Sequence, residues 1–350
     1  MRKAERGIYE ITHHAETAPG IFEMRAEAPG IGADATAGQF VNVYLPGGAT
    51  LLPRPLGIAD ADGGSITLVY AVVGAGTSAL SHFTKGERIE IMGPLGTGFF
   101  DYHYQGYQGD GTFDRHRHSG DGTFDVRERT QKEPSLSCFA GDESVSEVLL
   151  IGGGTGVPPL YFAARQLRDA YGKNIKLTAF LGFPAEPWYA GRLEGICDEV
   201  FTASETEGAA EFYGNAIELL RHRRDGSFYV RGRTQKEPSL LCSDRQGLSK
   251  DPSPVMGPAA SPAMALACGP RAMLAAAAGW CEARDIPLRV SLEERMGCGY
   301  GACAGCTVNT RLLNDESKPQ NGPKTPGKDG FVRKKVCVHG PAFWGDEVVW

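Results

Sequence analysis

The chain is 350 residues long, enough for two or three domains and a sizeable core. Its 41% hydrophobic and 22% charged residues are ordinary for a globular protein, and a formal net charge of −6 argues against nucleic acid or an anionic membrane as partner. No stretch approaches the ~18 consecutive apolar residues of a membrane span, and the basic start MRKAERGIYEITHH lacks the apolar run of a signal peptide. The expected location is therefore the cytoplasm, where disulfides are rare and nine cysteines need another reading.

Residues 7–98 read as β. The runs FVNVY (40–44), ITLVYAVV (66–73) and RIEIM (88–92) are separated by Gly, Pro and Asp turns, the pattern of a small barrel or sandwich. From residue 147 the pattern changes. EVLLI (147–151) is a buried strand, followed by glycines and a helical stretch at 158–170. Strands are expected at 176–181, near Val200, at 263–267 and at 288–292, with helices at 209–220 and 271–283. Strands alternating with helices imply a parallel sheet. The last sixty residues carry four cysteines and little regular pattern.

Three segments interrupt this plan: 101–144, about 223–261, and about 311–332. Each is rich in Gly, Pro, Asp, Ser and Arg, and each is longer than the ~12–15 residues at which unstructured loops become uncommon. Two of them hold a repeat. DGTFDVRERTQKEPSLSC (121–138) and DGSFYVRGRTQKEPSLLC (225–242) are identical at fourteen of eighteen positions.

The most specific motif is MGCGYGACAGCTV. Cys298, Cys303 and Cys306 are spaced C-x4-C-x2-C, and Cys337 follows thirty residues on, the plant-type 2Fe–2S spacing. The small residues between them let backbone N–H groups point at sulfur. A structural zinc site would show paired C-x2-C knuckles instead. Cys197 and Cys281 read as core thiols. A second motif, IGGGTGVPPL (151–160), follows a strand and opens a helix, so Gly153, Gly154, Thr155 and Gly156 are candidates to hold a nucleotide diphosphate at the helix N-terminus. A third, ACGPRAML (267–274), places Cys268, Gly269 and Pro270 at a strand end before a helix, the edge where open α/β sheets bind ligands.

Taken in order, RPLG (54–57), GAGT (74–77), GPLGTGF, IGGGTGVPP, ACGPRAML and CGYGACAGC with VCVHGPAF resemble the electron-transfer subunit of bacterial NAD-dependent dihydroorotate dehydrogenase, a branch of the ferredoxin-reductase superfamily. The resemblance spans the chain outside the three interruptions. It implies a β-barrel FAD domain (1–100), an α/β parallel-sheet NAD domain (145–290) and a small C-terminal 2Fe–2S lobe (291–350). By motif, Arg54, Pro55, Leu56 and Gly57 line the flavin, Val69, Tyr70 and Ala71 fall on the adjoining strand, and Gly76 and Thr77 hold its pyrophosphate. Cys298, Cys303, Cys306 and Cys337 hold the cluster. Two positions depart from the family, which commonly has Ser at Gly57 and often a basic residue at Ala71.

The family joins the sites of both repeat copies by short loops, so the copies read as a mobile coding repeat inserted twice. Cys138, Cys242, His116 and His118 within these segments read as passengers. NADH exchanges two electrons together and a 2Fe–2S cluster passes one, so a flavin must stand between them. No general base for an organic substrate is visible. The resemblance assigns the substrate to an FMN-containing dihydroorotate dehydrogenase subunit, in a heterotetramer of two of each chain, with electrons running from FMN through cluster and FAD to NAD. No Arg or Lys follows the strand ending at 180–183 before Arg192, and Glu186 intervenes, which favours NAD over NADP. The rival readings are an oxygenase-type reductase and a non-enzymatic zinc-bearing interaction protein.

Overall fold

A computed structural model describes residues 4–46, 51–100, 145–225, 263–312, 326–327 and 329–350. Both repeat copies lie outside the described residues apart from Asp225, as do His116, His118, Cys138 and Cys242.

Six antiparallel strands close into a barrel in the order β1-β2-β5-β4-β3-β6: β1 (Glu5–Ala18), β2 (Ile21–Glu27), β3 (Phe40–Tyr44), β4 (Arg54–Ala61), β5 (Ser65–Ala71) and β6 (Arg88–Leu95). Alternation decides which side chains fill it. In β3, Val41 and Val43 pack inward with Ile58, Ile66, Leu68 and Ile91. Phe40 belongs to a different core, shared with Leu95, Ile151, Cys306, Val336, Cys337 and Phe343. The outer face of β3 is thus covered by the rest of the protein rather than by water.

The second sheet has seven strands in the order β10-β9-β8-β7-β11-β12-β15. These are β7 (Glu147–Gly153), β8 (Lys176–Phe183), β9 (Glu199–Ser204), β10 (Phe212–Tyr213), β11 (Ala263–Cys268), β12 (Leu288–Ser291) and β15 (Ala342–Trp344). All pairs are parallel except β12 with β15. The helix Val157–Tyr171 covers one face of this sheet, and the helices Ala216–Asp225 and Arg271–Glu282 cover the other. Val157–Tyr171 starts on Pro158 and Pro159, where no N–H is needed, and buries Leu160, Ala163, Ala164 and Leu167 at helical spacing. A two-stranded ladder, β13 (Thr307–Thr310) with β14 (Val332–Lys335), carries the cluster loop.

Two expectations are corrected. The helix expected at 209–220 begins at Ala216, because Phe212–Tyr213 adds a strand and Asn215 caps the helix after it. Asn215 Oδ1 accepts from the N–H groups of Ile217 and Glu218 at 3.0 Å each, and Glu218 Oε2 accepts from Asn215 N, a reciprocal capping box. The C-terminal stretch, read as lacking regular pattern, supplies β15 as an antiparallel edge to the large sheet.

The barrel and the large sheet are clamped at a corner. Arg165 pairs with Asp60 at 2.6 Å, Arg192 with Glu23 at 2.8 Å, and Gln166 Oε1 accepts from Ala37 N at 3.0 Å. Pro159 approaches β4 so closely that a Cβ on Gly57 would stand 3.5 Å from its Cγ. The flavin-type strand and the nucleotide-type helix therefore share one crevice.

Candidate functional site

One wall of the crevice is the start of β4 with the helix Ala75–Leu80. The Arg54 guanidinium lies across Gly76, where a Cβ would come within 2.7 Å of Arg54 Cδ and 2.8 Å of Nη1. Arg54 Nη2 donates to Leu52 O at 2.7 Å, but Nε is buried and has no hydrogen-bond partner among the described residues. A buried guanidinium nitrogen without an acceptor is costly, and a bound phosphate oxygen would satisfy it. The loop ahead of the helix is already set. Val73 N and Gly74 N donate to Thr77 Oγ1 at 2.9 and 3.2 Å. Pro55 and Leu56 continue the strand from Arg54, Leu56 buried and Gly57 exposed.

On β5, Tyr70 turns its side chain to a structural task. Phe83 O can only accept, so His14 donates from Nδ1 at 2.6 Å and, in its neutral form, accepts the Tyr70 hydroxyl at Nε2 at 2.8 Å. The Tyr70 ring stacks on Phe22 at 5.9 Å, and burial raises its hydroxyl pKa. What β5 offers a ligand at 69–71 is mainly its backbone.

The second wall is the carboxyl edge of the large sheet. Register places Gly152 beside Cys268 and Cys268 beside Ser291. Gly156 must be glycine here: a Cβ would stand 2.3 Å from Cys268 O. A Cβ on Gly153 would meet Met273 Sδ at 2.8 Å, and Gly154 and Gly269 adopt φ of +54° and +150°. Gly153 and Gly156 are thus brought against Cys268, Gly269 and Pro270, with Gly154 and Thr155 in the turn between them. Cys268 is 3% exposed, and burial pushes its thiol well above the ordinary range, so it is a neutral group.

Facing Cys268 is Glu293, which the sequence reading missed. It is exposed at the surface, and desolvation by its surroundings raises its carboxyl pKa. The signal was an acidic residue directly after a strand at the ligand-binding edge. Beyond β8, Arg192 is committed to Glu23 and to the Tyr189 hydroxyl, at 3.2 Å, leaving Glu186 as the charged group ahead of it.

The third part is the loop of Cys298, Cys303 and Cys306, closed by Cys337 on the short helix Val336–His339. The four cysteines meet in two pairs, each through a backbone N–H that points at its partner's sulfur. Cys303 N lies 3.4 Å from Cys298 Sγ, and Cys337 N lies 3.4 Å from Cys306 Sγ. Gly305 N also points at Cys303 Sγ, at 3.4 Å. Burial disfavours the Cys298 thiolate, but the N–H groups of Cys303, Tyr300 and Ala302 outweigh it and bring the group to about 7. Cys337 is pushed up to about 12 by burial and by the neighbouring Cys306.

Among the described residues no three His, Cys, Asp or Glu side chains converge on a single ion-sized point. Two thiols for each of two irons is the donor set of a 2Fe–2S cluster, and these residues fit it. The loop is fixed from both sides. Lys335 Nζ donates to Gly301 O at 2.5 Å, and Asn42 Nδ2 on β3 donates to Cys298 O at 2.8 Å. Gly299, at φ +74°, leaves room for Asn42, whose Nδ2 would stand 2.4 Å from a Cβ there.

Comparison with known proteins adds three findings. The iron–sulfur cluster binding domain of dihydroorotate dehydrogenase B matches residues 293–319, from Glu293 through the first three cysteines. The dihydroorotate dehydrogenase B (NAD(+)) electron transfer subunit of Geobacillus thermodenitrificans is 30% identical over 315 residues, covering 89% of this chain and 86% of the relative. That of Bacillus pumilus is 28% identical over 354 residues, covering 99% and 98%. A solved NADH-dependent reduced ferredoxin–NADP oxidoreductase superposes with a TM-score of 0.62 over 98% of this chain and 90% of its own, at 22% identity, a likeness of fold.

Proposed function

We infer the working of this chain from one premise: it belongs to the family of dihydroorotate dehydrogenase B electron transfer subunits. It passes electrons from a catalytic subunit through a 2Fe–2S cluster and FAD to NAD, in the route to UMP. The observation that carries this reading is the pair of thiol pairs, Cys298 with Cys303 and Cys306 with Cys337, fastened by Asn42 to the barrel strand beside β4. When bound, the cluster moves electrons singly, while the flavin exchanges them singly with the cluster and pairwise with NAD.

The chain's own residues supply positions and charge. The orphaned Nε of Arg54 beside Gly76 supports placing the flavin diphosphate there, with Thr77 shaping the turn and 54–57 and 69–71 flanking the ring. Gly153, Gly154, Thr155 and Gly156, with Cys268, Gly269 and Pro270, frame the nicotinamide nucleotide. NAD is preferred to NADP, because Glu186 would repel a 2′-phosphate and Arg192 is already paired. Catalytic efficiency with NADPH is expected to be about tenfold lower or less, a ratio that steady-state kinetics reads directly.

We divide the chain into a flavin barrel at 1–100, a nucleotide domain at 145–290 and a cluster lobe at 291–350, with the three interruptions dispensable. Cys303 is exposed beside a groove of about 510 Å³ lined by Tyr44, Leu51, Leu52, Met92 and Tyr300. The FMN-bearing subunit docks on this face, since a single electron crosses only a short gap. The assembly holds two of each chain, in the cytoplasm. None of the helices among the described residues is long and apolar enough to cross a membrane.

Coexpression with an FMN subunit, affinity capture and a dihydroorotate-dependent assay of NAD reduction test the reading. A stable complex with that activity is expected. Failure to capture the FMN subunit, together with reduction of an oxygenase component instead, overturns it.

A further inference from the structure

Asn42 stands in the middle of FVNVY, on the outer face that it shares with the buried Phe40, and it is wholly buried. A hydrophobic side chain would be the more stable choice there, because an amide buried without all its partners carries the desolvation cost of the unpaired atom. That cost is present: Oδ1 is buried and has no hydrogen-bond partner among the described residues. The orientation is not in doubt, because Cys298 O can only accept and must face the amide nitrogen. The residue also stands at a junction. Its backbone pairs with Pro55 on β4, next to Arg54, and with Met92 on β6. Its side chain meets the backbone of a cluster ligand 256 residues away, through the space Gly299 leaves open.

We propose that Asn42 is the positioning residue for electron transfer between the two carriers: it fixes Cys298 against the flavin strand and so sets both the separation and the path between cluster and FAD. The path from Cys298 O to β4 runs through one hydrogen bond and one strand. In the direction the test uses, the reverse of the working one, NADH would supply two electrons to the bound flavin, of which one would pass to the oxidised cluster and one would remain on the flavin. No bond is made and no proton need move at Asn42. The proposal rests on the cofactor assignment above. If that assignment failed, the unmutated chain would lack flavin and iron–sulfur absorption, an outcome separate from those below.

The test compares the unmutated chain with Asn42→Leu, which keeps the branching at Cγ, is somewhat larger and removes the amide, and with Asn42→Ser, which keeps polarity but falls short of Cys298. Stopped-flow mixing with NADH follows flavin and cluster bleaching separately. Cluster reduction is expected to slow severalfold relative to flavin reduction in both variants, and the electron paramagnetic resonance line of the reduced cluster is expected to shift. A chelator is expected to strip iron about fivefold faster, the equivalent of about 1 kcal/mol for one lost hydrogen bond. Unchanged relative bleaching and an unchanged resonance line in Asn42→Leu overturn the proposal. So does complete loss of iron from both variants, which would make Asn42 a plain brace of the loop.

Discussion

Cys268 and Cys298 are the same residue in opposite surroundings. Cys268, at the nucleotide edge, is enclosed by backbone and by Gly156, and burial keeps its thiol neutral. Cys298, on the cluster loop, is surrounded by N–H groups that favour the thiolate despite burial. The first region is built by exclusion, with chain packed against chain until there is no room for a side chain. The second is built by donation, with backbone N–H groups aimed at sulfur. At these two positions the readiness of the thiol to ionise is therefore set by the donors around it rather than by its presence at a functional edge.

The strongest way to break this contrast is to exchange sulfur for oxygen. Serine at any of Cys298, Cys303, Cys306 or Cys337 is expected to abolish or cripple the cluster, read as iron per chain and as visible absorption. Cys268→Ser is expected to keep full iron, and loss of iron there would erase the distinction. Next comes the steric side. Gly156→Ala drives a methyl into Cys268 O and should cost about 1–3 kcal/mol of stability, with a raised KM for NADH. Gly305→Ala, whose Cβ would meet Cys303 Sγ at an ordinary 3.5 Å, is expected to leave the melting temperature nearly unchanged. Equal effects at the two glycines would mean that both loops are shaped by exclusion.

Arg54→Ala tests donation at the flavin wall. It removes one charged donor and is expected to weaken FAD binding by about tenfold or more, the weight of about 1.5–3 kcal/mol for a hydrogen bond to a charged group, read by fluorescence titration. Retention of FAD at wild-type affinity would place the diphosphate elsewhere. The smallest effect lies away from both cysteines. Burial alone would raise the Asp198 carboxyl, but Lys173, the Leu177 N–H and Arg168 more than reverse this and hold it well below its ordinary range. A depressed carboxylate stabilises the fold above its unfolded pKa of about 3.9, and the gain is lost as pH falls towards the lower folded value. Asp198→Asn is thus expected to cost on the order of 1 kcal/mol at neutral pH, the gap closing in strong acid, read by denaturant titration at several pH values.

Much of this was legible in advance. Short β-rich runs between Gly, Pro and Asp turns placed β3, β5 and β6, the alternation of strand and helix placed the parallel sheet, and cysteine spacing located the cluster loop. What escaped depends on contacts between distant residues. Asn42 is one polar letter in an apolar strand, and its partner is far along the chain. Glu293 follows a strand like any surface acid until the sheet register sets Ser291, two residues before it, opposite Cys268. The helix at 216–225 was expected too early because Asn215 is recognised as a cap only once Glu218 answers it. Three residues, Ala342–Trp344, are too few to show a period, so β15 had no local signature.

That last strand has a consequence for how the protein could be taken apart. After the fourth cysteine the chain turns back: Thr97 N of the barrel donates to Gly340 O at 2.6 Å, β15 joins β12, and the buried Lys334–Glu347 pair closes the tail at 3.0 Å. The lobe has no seam along which it could be cut. A truncation after Ser291 would strip an edge from the nucleotide sheet and a cover from the barrel along with the iron. A descendant that dispensed with the metal would still have to keep the polypeptide that once held it, and a transplanted lobe would arrive without the two neighbours that complete its fold.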